Sequence, residues 1–306
     1  MTVTFRDLGA ELSNWGRWGP EDQLGTLNFV TPAHIQAAAA EVRTGRAFQL
    51  SIPVGKSGPQ SGIGGRINPV HLMSMAPHDW AEPHGVQVSD DWIIMPLQSG
   101  TQWDSLAHVA YDDQMYNGYP TDEVNARFGA RKLGVEVMTD KLVGRGVLLD
   151  IARLHGVPWL DGGYPITPAD LEAAEREQGV TVGEADFLFF RTGWRAKLLA
   201  DGGDGWMNTE PGLSMDCARW LCDRSVAAVG SDNWAIEVLP ADEPGVIVPL
   251  HCVLIRDMGM PLAEILDLEE LAADCADDGR WSFMLVAPPL RITHAVGSPV
   301  TPIAIK

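Results

Sequence analysis

The stretch from 147 to 190, VLLDIARLHGVPWLDGGYPITPADLEAAEREQGVTVGEADFLFF, holds the alternation that decides the fold class. Val147–Ile151 and Phe187–Phe190 are apolar runs of strand length. Between them Thr167-Pro168 sets a capping hydroxyl before a proline at the first helical position, and Gly179 stands where that helix should stop. Strand, helix, strand in this order is the unit of an α/β domain. The pattern repeats outward. Val226–Val229, Val246–Ile255 and Phe283–Val286 read as further strands. Helices are expected from Ser214 to about Arg224 and from Pro261 through LAEILDLEELAADCA, whose leucines recur at helical spacing. The α/β region spans roughly 145–290.

The first third is richer in loops. Thr31-Pro32 opens a helix that should stop near Gly45, whereas Val54 to Pro69 is too dense in glycine and proline for a regular element. No linker composition separates the parts. One interlocked domain over 1–306 is therefore expected: an N-terminal arm and helix (1–60), a β and loop region (61–145) and the α/β region (146–306).

The 306 residues are 45% hydrophobic and 21% charged, the balance of a chain that folds around a substantial core. Forty-one acids against 22 Lys plus Arg give a net charge of −19. Such a surface repels nucleic acid and anionic lipid, and a small, neutral or weakly charged substrate fits it better unless a local basic pocket overrides the field. Cys217, Cys222, Cys252 and Cys275 form no CxxC pair, and MTVTFRDLGAELSNWGRWG at the N-terminus has no basic stretch followed by an apolar one. A cytoplasmic protein with reduced thiols is the expectation.

Common catalytic signatures are missing. Gly55-Lys56-Ser57 looks like the end of a phosphate loop, but Leu50 occupies the position of its first glycine. No HExxH, GxSxG or strand-borne GxGxxG occurs. The chemistry concentrates instead in QSGTQWDSLAHVAYDDQMYNGYP, Gln98 to Pro120. There Gln98, Gln102, Asp104 and His108 can converge on one point if the chain bends at Gly100-Thr101. The same residues also read as a polar loop with a hydrogen-bonded histidine. A second feature joins them: His251 interrupts the apolar run VIVPLHCVLI, and Glu264 follows thirteen residues later in the first turns of the expected Pro261 helix.

The segment Gln98-Ser-Gly-Thr-Gln-Trp-Asp-Ser-Leu-Ala-His108 resembles the HxGTHxDxxxH motif of the metal-dependent cyclase family, which includes bacterial kynurenine formamidase and isatin hydrolase. Asn14-Trp-Gly-Arg-Trp-Gly19, Thr26-Leu-Asn28 with Thr31-Pro32, Arg191-Thr-Gly193, Gly230-Ser-Asp232, His251 and Glu264 extend the likeness over nearly the whole chain. The resemblance implies a swivelling β/β/α fold, a homodimer or homotetramer, and a divalent ion activating water to open an amide, imide or lactone bond in a small, cyclic or aromatic substrate. It places ligands at Gln98, Gln102, Asp104, His251 and Glu264, and the catalytic base and acid at His108, with His251 ligating or orienting the water. Both leading histidines of the motif are glutamine here. Amide oxygens with two carboxylates make a hard site that favours Mn over Zn, and binds weakly enough that the ion can be lost.

Trp103, Tyr116 and Asn117 are expected to border the substrate as flat walls and an amide handle. Two alternatives stay open at this level: a metal-independent lyase, isomerase or polyketide-type cyclase using the same pocket, and a non-catalytic ligand-binding member.

Overall fold

The protein is described by a computed structural model over residues 3–79, 84–202, 205–241 and 243–306. Nine strands form one mixed sheet: β1 (Ala47–Gln49), β2 (Gln102–Asp104), β3 (Val143–Asp150), β4 (Phe187–Arg191), β5 (Ala228–Ser231), β6 (Leu262–Glu264), β7 (Ser282–Val286), β8 (Gly297–Pro299) and β9 (Ile303–Ile305). Their spatial order is β1-β9-β7-β3-β4-β5-β6-β2-β8. The inner four, β3 to β6, are parallel to one another, and both flanks are antiparallel.

A parallel core strand must be apolar on both faces because each face is covered. In β4 all five residues are buried. Leu188 and Phe190 enter the cluster with Val147, Leu149 and Leu221, while Phe187 and Phe189 enter the other, with Leu148, Leu271 and Phe283. Thr167 caps the helix Pro168–Gln178 through a reciprocal pair with Asp170, and Gly179 closes it in the left-handed conformation, as the sequence predicts. The Thr31-Pro32 helix is also capped, but it ends at Ala39, well short of Gly45.

Two expectations are corrected. The run Val246–Ile255 is not a strand: Pro249–His251 is a helical turn that continues as a π-helix over Cys252–Met258. The segment is buried all round, and an apolar run without polar alternation does not distinguish a buried helix from a buried strand. Pro261 does not open a helix either. Leu262–Glu264 is β6, filling the gap between β5 and β2, and the helix begins at Glu269. Strand pairing on both sides overrides the helical spacing of the leucines.

One element stands off this body. Val70–Met75 and Asp90–Ile94 form an antiparallel hairpin whose side chains are exposed over almost its whole length. No helix among the described residues is long and apolar enough to cross a membrane.

Candidate metal and acid–base site

The register of β2 and β6 brings the two distant stretches together. Gln102 lies opposite Glu264, and Asp104 opposite Leu262, so the side chains of Gln102, Asp104 and Glu264 share one face. His251 enters from the helix that precedes β6. Ligand atoms of Asp104, His251 and Glu264 lie within 4.8 Å of one another, all buried. The order of elements is thus the reverse of the one read from sequence: the histidine is helical and the acid sits on a strand.

Several contacts fix the set. Gln102 Nε2 donates to Glu264 Oε2 (2.6 Å), which leaves Gln102 Oε1 free of any hydrogen bond. His251 lies between two carboxylates, with Nδ1 2.6 Å from Glu237 Oε1 and Nε2 3.0 Å from Glu264 Oε1. Glu237 also accepts the backbone N–H groups of Leu250 and His251. Both oxygens of Asp104 are buried and accept nothing from the protein. Gln98 Nε2, likewise buried and unpartnered, occupies space beside Asp104 that exists because residue 297 is glycine: a Cβ there would stand 2.5 Å from that nitrogen and 3.3 Å from Asp104 Oδ1. His108 Nε2 lies 3.8 Å from Asp104 Oδ1 and keeps 21% of its side-chain surface exposed.

The electrostatics follow from burial. Desolvation pushes Asp104 up to about 6 against the pull of His108. Burial lowers His108, only partly offset by Asp104, so the ring is neutral at physiological pH. Burial would also lower His251, but Glu237 and Glu264 outweigh it and hold the imidazolium up to about 10. Glu210, completely buried beneath this cluster and accepting from the backbone of Trp234 and Ala235, is raised well above the carboxylate range by desolvation.

Likeness to known proteins bears on this arrangement. The sequence profile of the Cyclase family matches residues 48–238. The chain belongs to the Cyclase family. The isatin hydrolase of Roseibium aggregatum is 23% identical over 221 residues, 70% of this chain and 74% of that one. A crystal structure described as a novel cyclase superposes with a TM-score of 0.91 at 41% identity, covering 97% of this chain and 99% of that one. Isatin hydrolase A from Labrenzia aggregata, bound to benzyl benzoate, gives 0.64 at 19% identity over 87% and 94% of the two chains.

Within this Cyclase-family fold the other motifs are fasteners. Asp232 accepts from Thr192 N, Thr192 Oγ1 and Gly193 N (2.7–2.8 Å). Gly193 is left-handed at φ 76°, and a Cβ there would meet the Pro158 carbonyl at 2.2 Å. Asn14 donates to Met258 O and Trp15 Nε1 to Arg256 O, which clamps the far end of the helix carrying His251.

Trp103, Tyr116 and Asn117 are placed otherwise than expected. Strand alternation turns Trp103 to the face opposite Gln102 and Asp104, into the core, where Nε1 donates to Ala287 O. Tyr116 is fully buried and donates to Asp22 Oδ2. Asn117 binds the backbone of Gly16, Gly19 and Asp22. The polar groups of Tyr116 and Asn117 hold the N-terminal arm. Conversely, Glu237 escapes the sequence reading although it carries the signal that exposed His251: an ionisable residue inside an apolar run, AIEVL over 235–239.

Proposed function

We propose that the protein is a metal-dependent hydrolase that opens an amide, imide or lactone bond of a small organic substrate. The observation that carries this reading is the convergence of Asp104, His251 and Glu264, with both oxygens of Asp104 and the Oε1 of Gln102 buried and unpaired. A buried carboxylate that accepts nothing is costly unless something is meant to sit there, and this donor set suits a divalent cation. Asp104, His251, Glu264 and Gln102 Oε1 would hold it, Gln98 standing beside them. The two carboxylates match its charge, and the oxygen-rich set favours Mn over Zn. When bound, such an ion acidifies water and polarises a carbonyl.

The chain's own groups supply the rest. Glu237 accepts a hydrogen bond from Nδ1–H of His251, which fixes the ring and would leave Nε2 as the ligating nitrogen. His108, neutral and partly exposed beside Asp104, receives the proton of the attacking water and returns it to the leaving nitrogen or oxygen. The relative and the similar structures named isatin hydrolase act, by name, on a cyclic amide, which supports the substrate class.

The competing reading, a metal-independent lyase or cyclase, draws on one feature. Glu264 is already paired with both His251 and Gln102, so part of the donor set is closed internally. Assay of chelator-treated and Mn-reconstituted protein on N-formyl, cyclic amide and lactone substrates separates the two. Hydrolysis that appears only with Mn supports our reading, and equal turnover without metal overturns it.

A further inference from the structure

The loop before the hairpin carries a cation that no acid among the described residues pairs with. Gln60 and Asn68 close its neck with reciprocal hydrogen bonds: Gln60 N to Asn68 Oδ1 (2.8 Å) and Asn68 Nδ2 to Gln60 O (3.2 Å). Gln60 Nε2 then ties the neck to the motif, donating to Ser99 O at 3.1 Å. The loop is therefore built onto the segment that supplies Gln98, Gln102 and Asp104. Arg66 projects from it, half-buried, with its guanidinium 5.6 Å from the centre of the Trp234 ring. Trp234 belongs to the same neighbourhood: the carbonyl of Asn233 accepts from Ile265 N, one residue beyond Glu264.

Among the described residues Arg66 makes no ion pair, in a chain with 41 acids and 22 Lys plus Arg. Surplus acid makes an unpaired arginine beside an acidic site a feature to explain. It lies close enough to the centre for its charge to act on Asp104 and His108. The second unused donor is the Trp234 indole N–H, buried and without an acceptor. A planar guanidinium over an indole face, with a spare N–H beside it, is a recognition element for a carboxylate on a flat body.

We propose that Arg66 and Trp234 form an anion subsite at the rim of the metal site, which selects a flat ligand bearing one carboxylate separate from the bond to be broken. The small basic spot overrides the surrounding acidity over a few ångströms, which a single carboxylate can use and a polyanion cannot. The proposal deepens the hydrolase reading, and rests on it for treating this ligand as substrate.

The probes are benzoate and benzamide, which match in shape and differ in charge, titrated calorimetrically into the protein as purified and after chelation, where no ion can attract the carboxylate. Wild type should prefer benzoate by about tenfold or more in both forms. In Arg66→Gln that preference should vanish while benzamide affinity is unchanged, and Arg66→Lys should restore only part of it. Equal binding of the two probes by wild type, or a benzoate preference that survives in Arg66→Gln, overturns the subsite. The benzamide arm controls for misfolding. Charge selection through Arg66 in a protein that hydrolyses none of the assayed bonds would defeat the hydrolase reading alone. Hydrolysis whose KM is indifferent to a substrate carboxylate would defeat the subsite alone.

Discussion

At the scale of single residues the site is a set of unsatisfied atoms held in place by satisfied ones, and substitutions separate the two kinds. Asp104→Asn keeps shape but removes an anionic ligand, and should lose stoichiometric metal by elemental analysis; a full complement of ion in the variant would contradict its ligand role. His108→Ala leaves the metal ligands intact and should lower kcat by at least ~10²-fold with metal content unchanged. Near-normal turnover would remove it from the chemistry. Protonation sets the pH response. In the metal-free protein Asp104 is held up to about 6 and His251 up to about 10, and both must be deprotonated to ligate. A cation therefore displaces protons, so its affinity should rise with pH, by about tenfold per unit between pH 7 and 9, where His251 alone contributes. Calorimetric titration of Mn in two buffers of different ionisation enthalpy would show the released proton, and a pH-independent affinity would rule out His251 as a ligand.

At the scale of elements, the helix carrying His251 is gripped at both ends. Glu237 accepts the backbone N–H groups of Leu250 and His251 at its start, and Asn14 and Trp15 bind the carbonyls of Met258 and Arg256 at its end. Asn14→Ala leaves the Met258 carbonyl buried without its donor. That should cost about 1–3 kcal/mol of stability in denaturant titrations, with metal affinity falling in parallel; unchanged stability would show that the clamp contributes nothing to the fold. This helix is also where sequence reasoning reaches its limit. The residues of the site were legible because chemistry leaves a local trace: an acid, amides and a histidine spaced along one motif, and a histidine breaking an apolar run. The elements bearing them were not. The apolar run leading into Cys252–Met258 shows no strand alternation and Leu262–Glu264 sits within leucines at helical spacing, so only their neighbours in the fold decide which becomes helix and which strand. The strands β3, β4 and β7 were readable because turn and cap residues bracket them. Trp103 misled because its place next to Gln102 and Asp104 in sequence is, on a strand, a place on the opposite face.

At the scale of the whole molecule, the hairpin over 70–75 and 90–94 is at odds with a free existence. On one face Val70 pairs with Ile94 and Leu72 with Trp92, and these four side chains are 39–58% exposed. A two-stranded ribbon is only marginally stable in water without something packed against its apolar face. These four make a contiguous apolar patch on the order of a few hundred Å², the kind that marks an interaction surface. An ordinary stable interface takes roughly 800 Å² per partner, of which this patch would be the apolar centre. The net charge of −19 argues against a nucleic-acid or anionic-lipid partner, whereas a second copy of the chain brings an identical uncharged patch and needs no charge complement. We therefore expect two copies to pair through their hairpins, each arm rooted a few residues from Gln98. Light scattering coupled to size exclusion should give a dimer or a multiple of it. The double variant Leu72→Lys, Trp92→Lys should run as a monomer with an unchanged circular dichroism spectrum, because both side chains are exposed and neither belongs to the core. A monomeric wild type, or a variant that still associates, would leave the exposed apolar ribbon without its proposed partner.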